Sequence, residues 1–142
     1  MVRKGNKMSH FISYVTGTPR PQGSKKAFVI RGKAILVDAS EGNYEWRRLV
    51  TSELANDPDL VRYKGAVNVS LAFFMEKAKS NKTNLMTQKP DIDKLARSVL
   101  DAMTNAELIE DDSKVVYLNI TKTWAENQNP GVLIHVWQKP DA

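Results

Sequence analysis

KPDIDKLARSVLDAMTNAELIEDDSKVV, residues 89–116, decides how the chain folds and where its reactive side chains gather. Pro90 suits the first turn of a helix, where its missing N–H is no loss. Beyond it Ile92, Leu95, Ala96, Val99 and Met103 recur at helical spacing, which predicts an amphipathic helix over 91–105. Glu110 to Lys114 reads as a turn, and Val115 to Trp124 alternates as a strand does.

Outward from that stretch the pattern is of strands and loops. Upstream, AVNVSLAFFM (66–75) puts Val67, Val69 and Leu71 on one face of a strand. Downstream, 132–137 reads as a last strand. The N-terminal third holds a strand over 9–16 and a basic loop, TPRPQGSKK, over 18–26. A hairpin follows, with arms 27–31 and 33–37 joined at Gly32, then a helix over 43–55. The polar segments 56–65 and 76–89 read as loops. This order predicts an α+β fold, a mixed β-sheet packed against two helices, as one domain over 1–142 with residues 1–8 flexible.

Composition narrows the class. The 142 residues are 42% hydrophobic, enough for one core. There is no cysteine, so disulfides and zinc–thiolate sites are excluded. No apolar run nears the ~20 residues that span a bilayer, so a cytoplasmic protein with no membrane partner is expected. The net charge is +5. Before Asp38 the chain carries Arg3, Lys4, Lys7, Arg20, Lys25, Lys26, Arg31 and Lys33 and no acid. Such an asymmetry suits a polyanion such as DNA.

The acids come in two groups: Asp91 and Asp93 at the helix start, and Glu110, Asp111 and Asp112 before the strand, with Asp101 between them. Hard oxygen donors of this kind suit Mg²⁺, with Mn²⁺ as a substitute. If helix 91–105 packs on the sheet containing strand 115–124, the two groups approach each other. Residues two apart do not face one another in a regular helix. Sharing a metal therefore requires irregular backbone at Asp91, which the extended geometry of Lys89 before proline favours. Asp93, Arg97 and Asp101 follow on one helix face. The competing reading gives each aspartate a structural role, as a helix cap or turn residue. His10 and His135 show no ligand pattern, and Trp46, Trp124 and Trp137 read as packing residues before base-stacking ones.

These residues resemble the RusA family of Holliday junction resolvases, whose pattern is K-P-D-x-D-N, then a basic residue and D-A, then D-D-x-x-V. Here it reads Lys89-Pro90-Asp91-Ile92-Asp93-Lys94, Asp101-Ala102 and Asp111-Asp112-Ser113-Lys114-Val115. The 18–26 loop is similar, more loosely, to the family's basic N-terminal loop. The resemblance implies a homodimeric, Mg²⁺-dependent endonuclease that cuts branched DNA at four-way junctions. It implies catalytic Asp91, Asp93 and Asp112, with Asp111 adjacent to them as a further metal ligand. Arg97 stands where the family carries a lysine, which keeps the charge but not the ability to lose a proton. Lys94 replaces the family's asparagine. Arg20, Lys25, Lys26, Lys89 and Lys94 are the expected DNA contacts, and Lys77, Lys79 and Lys82 could add to them or be plain solvated surface. The alternatives are a junction- or duplex-binding protein without catalysis, and a nucleotide phosphohydrolase, which the absence of a Gly-rich phosphate loop disfavours.

Overall fold

The run Val67–Glu76 alternates buried and half-buried side chains up to the exposed Glu76 and lies inside a four-stranded sheet. In the computed structural model of the chain, residues 9–23, 25–38, 42–79 and 83–139 are described. The elements are β1 (Ser9–Thr16), β2 (Lys25–Ile30), β3 (Lys33–Asp38), α1 (Asn43–Ala55), β4 (Val67–Glu76), α2 (Ile92–Asn105), β5 (Val115–Ala125) and β6 (Gly131–Gln138). The main sheet has the order β1-β6-β4-β5, antiparallel except where β4 and β5 run parallel. A parallel pair needs a long crossover, and α2 supplies it. The expected α+β fold with a mixed sheet and two helices is the one found.

Both helices cover one face of the sheet. Val69, Leu71 and Phe73 of β4 and Val132, Ile134 and Val136 of β6 are sealed from solvent with Phe11 and Val15 of β1. Over them lie Trp46, Val50 and Leu54 of α1 and Leu95, Val99 and Met103 of α2. Each such side chain contributes about 1.5–3 kcal/mol through the area it removes from water. A buried bond from Ser98 Oγ to Asn43 Oδ1 (2.7 Å) fixes how α1 sits on α2.

The opposite sheet face carries Glu76 at the end of β4 but no Asp, Glu, Lys or Arg in its central rows. Across the strands its rows read His10, Trp137, Asn68, Tyr117, then Ile12, His135, Ser70, Asn119, then Tyr14, Leu133, Ala72, Thr121. His10 and His135, far apart in sequence, share a 2.8 Å hydrogen bond there beside Trp137. Trp124 is a packing residue, as expected. It is buried, and its Nε1 donates to the Thr83 carbonyl (3.0 Å).

The hairpin β2–β3 is a sheet of its own. Arg31 (φ 52) and Gly32 (φ 80) both take the left-handed backbone of a two-residue turn whose twist matches the strands. Its first arm starts earlier than expected, so Lys25 and Lys26 belong to β2, opposite Asp38 and Val37, and not to the basic loop. The turn before β5 closes as a short 3-10 helix, Asp112–Lys114. Residues 1–8 and Lys82 lie outside the described residues. Among those described, no helix is long and apolar enough to cross a membrane.

Candidate active site

At the start of α2 the backbone is irregular, as a cation shared by Asp91 and Asp93 would require. The Lys89–Pro90 peptide is cis. Asp91 is the N-cap residue, with extended backbone (φ −67°, ψ 142°). Its main-chain carbonyl accepts from Leu95 N, but its carboxylate makes no capping hydrogen bond. An aspartate present only to cap would bond the free N–H groups of the first turn. Its carboxylate instead stands 4.0 Å from Lys94 Nζ. Asp93 is exposed in the same first turn.

Two ties hold this corner in place. Lys122 of β5 donates to the carbonyls of Gln88 (2.8 Å) and Pro90 (2.9 Å). Gln22 N donates to the Lys94 carbonyl (3.0 Å), strapping the 18–23 loop to α2. Arg20 lies across Gly42, where an added Cβ would stand 3.1 Å from Arg20 Nε. Arg20, Pro21, Gly23, Lys89, Pro90, Asp91 and Lys94 line a cavity of about 410 Å³. Three cations around one carboxylate make it a fitting seat for a phosphate.

The far end of α2 is built differently. Thr104 Oγ1 donates to Asp112 Oδ1 (3.1 Å). Asp111 caps the 3-10 helix, accepting from Ser113 N (2.9 Å). Hydrogen bonding from the Ser113 side chain first, and from its backbone N–H second, holds the Asp111 carboxyl below the usual carboxylate range. Burial pushes the Asp112 carboxyl up, and the charges of Asp101 and Asp111 add to the rise against the pull of the Thr104 bond. Arg47 of α1 reaches Asp101 at 3.9 Å. Arg47, Asp101, Thr104, Asn105, Asp111 and Asp112 line a second cavity, of about 280 Å³.

The two acidic groups therefore do not converge within one chain. They flank α2, whose 14 residues span about 21 Å at 1.5 Å per residue. The reason is the crossover: β5 begins where α2 ends, so Asp112 is held at the C-terminal turn of the helix. Arg97 is exposed midway between them. Among the described residues no three His, Cys, Asp or Glu side chains stand together as a metal site. The side chains are all carboxylates, which fit an oxygen-seeking divalent cation, but one chain holds them in two separate groups.

Three contributors were missed in the sequence. Arg47 and Thr104 act through contacts between elements, which local spacing does not reveal. Lys122 left a signal: it is a charge at a position whose alternation, Leu118, Ile120, Trp124, is otherwise apolar.

The chain is 28% identical to the uncharacterized protein YqaN of Bacillus subtilis (strain 168) over 134 residues, which cover 84% of this chain and 92% of that protein. A family profile described as Endodeoxyribonuclease RusA matches residues 15–137, a span that takes in both acidic ends of α2, the loop strapped to it, and β4 and β5 in full. A match of that extent, over a mixed sheet and two helices of the expected kind, makes this chain a member of the RusA endodeoxyribonuclease family.

Proposed function

We propose that the protein is a Mg²⁺-dependent endonuclease of the cytoplasm that resolves four-way DNA junctions by paired phosphodiester hydrolysis, working as a two-fold homodimer. The observation that carries the reading is the Asp91 carboxylate, set on extended backbone and unused by the helix it caps. Asp91, Asp93 and Asp112 would be the cation's ligands, with Asp111 beside them. A bound divalent cation supplies positive charge at the scissile phosphate and a water of lowered pKa. Arg97 would grip the phosphate in the place of the family's lysine, by bidentate hydrogen bonds. Arg20, Lys89 and Lys94 would hold the neighbouring phosphates, joined by Lys25 and Lys26.

The separation of the acids supports the dimer. β5 is an edge strand, with Val116, Tyr117 and Leu118 exposed. A long apolar edge invites another strand. β5 starts beside Asp112, at the C-terminal end of α2, and reaches the N-terminal end at Lys122. If two β5 strands paired antiparallel about a two-fold axis, the Lys122 end of each would meet the Val115 end of the other. Asp91 and Asp93 of one protomer would then approach Asp112 of the partner subunit. Two composite sites would result, related as the two cut strands of a junction are.

The test is a synthetic four-way junction incubated with protein in Mg²⁺, in Mn²⁺ or in EDTA. Paired nicks near the branch point, in metal only, are expected. Asp91→Asn should abolish cutting and leave junction binding intact. Binding with no cutting in either metal would favour the non-catalytic reading, and normal cutting by Asp91→Asn would remove this residue from the site.

A further inference from the structure

The cavity that holds Asp112 does not end at Arg47. A further cavity of about 360 Å³ adjoins it, lined by Tyr44, Arg47, Arg48, Thr51 and Ser52 of α1 and by Asn105. Arg47 and Asn105 belong to both. One trough thus runs from the acidic pocket, past Arg47, onto a stretch whose lining carries two arginines, hydroxyls and an aromatic ring but no acid.

We infer that this α1 trough is a DNA-strand subsite, in which Arg47 takes a phosphate next to the cut and Arg48 with Tyr44 receives the following nucleotide. The inference rests on the nuclease reading for what happens at Asp112, but not for the strand path itself.

Three features support it. Arg47 is held in place: it lies one helical turn beyond Asn43, whose buried bond to Ser98 sets α1 on α2. Its ion pair to Asp101, at 3.9 Å, is loose and engages one edge of a group with five N–H donors. Second, the Arg48 guanidinium sits 5.6 Å from the centre of the Tyr44 ring, and Tyr44 is 61% exposed. A flat cation on an exposed ring, both reachable by solvent, offers a stacking platform that any base can use and a charge for its phosphate. Third, the Ser52 hydroxyl lines the same wall and can donate to a sugar or phosphate oxygen, while Thr51 Oγ1 donates to the Arg47 carbonyl (2.8 Å) and steadies the turn that carries Arg47. Arg47 thereby stands between an acidic pocket that suits metal and a basic one that suits the strand.

The experiment measures binding of a fluorescent four-way junction and of a short single strand in EDTA over a range of salt, so that cutting plays no part. Arg47→Ala and the double variant Tyr44→Ala/Arg48→Ala should each weaken binding about five- to tenfold. Each should also flatten the salt dependence by about one phosphate contact. Arg47→Lys should recover most of the binding lost in Arg47→Ala. Arg62→Ala, the same loss of charge on another surface, should bind like the parent protein. Asp101→Asn separates a structural role: if Arg47 served only to pair with Asp101, this variant would weaken binding as Arg47→Ala does, whereas the strand subsite predicts equal or tighter binding. Tyr44 and Arg48 are exposed, so their double variant tests the trough even if Arg47→Ala folds poorly. Parent-like affinity and salt slope in the double variant would overturn the inference. Loss of binding in these variants from a protein that cuts no DNA in any metal would retain the subsite and remove the nuclease reading instead.

Discussion

The two ends of α2 carry the same kind of side chain and treat it in opposite ways. At the N-terminal end Asp91 and Asp93 are exposed, the Asp91 carboxylate makes no capping bond, and Arg20, Lys89 and Lys94 line its cavity. At the C-terminal end Asp112 is held by Thr104 and crowded by Asp101 and Asp111, which push its carboxyl up. One end offers carboxylates in a basic surround, ready for phosphate and metal together. The other holds a carboxylate at some electrostatic cost, which an incoming cation would relieve. On the proposed reading neither end is a site alone, and each would supply what the other lacks.

Removing either carboxylate should have the largest effect. Asp91→Asn and Asp112→Asn should each lower junction cutting about a thousandfold or more, with binding in EDTA unchanged. A loss at one end only would show that the other is structural. Next comes the dimer. Leu118→Glu, on the exposed edge strand, should shift the protein to monomer in sedimentation and abolish cutting, while Ile12→Glu, on the sheet face away from the helices, should leave the dimer intact. The reverse pattern would move the interface to that face. Thr104→Val should lower cutting about three- to tenfold by freeing the Asp112 carboxylate to turn away. An unchanged rate would show that the Thr104 bond has no part in catalysis.

Smaller effects concern the frame. Ser98→Ala removes the buried bond to Asn43 and should lower stability by about 1–2 kcal/mol in denaturant melts, with cutting reduced less than by any change above. The smallest is a pH effect away from the site. Burial first, and His10 second, lower the pKa of His135 from 6.5. The unfolded chain then binds the proton more readily than the folded one, so stability is full above that value and falls as pH drops below it. His10→Gln should make that fall shallower, and an identical pH profile in both proteins would contradict the pairing.

Much of this was legible in the sequence. The 3.6 period of Ile92, Leu95, Val99 and Met103 and the alternation of Val67, Val69 and Leu71 follow from one-sided burial, which short windows record faithfully. The irregular start of α2 was legible because proline constrains its neighbour. The distance between acids was not. Spacing along the chain says that Asp93 and Asp112 flank a helix and a turn, but only the crossover geometry fixes them about a helix length apart. Lys25 and Lys26 were misplaced because turn and strand ends carry weak signals, and the two positive-φ residues at Arg31 and Gly32 set the register instead. Arg47 was invisible because its position depends on how α1 crosses α2.

Mixed dimers give the most direct measurement. Asp91→Asn and Asp112→Asn proteins, each inactive, are unfolded together in equal amounts, refolded, and assayed for junction nicking in Mg²⁺. In the mixed dimer one site keeps Asp91 from one chain and Asp112 from the other. Random pairing then restores about a quarter of the parent nicking, as single cuts and not paired ones. No restoration, from a mixture shown to contain mixed dimers, would contradict a site shared between the two ends of α2.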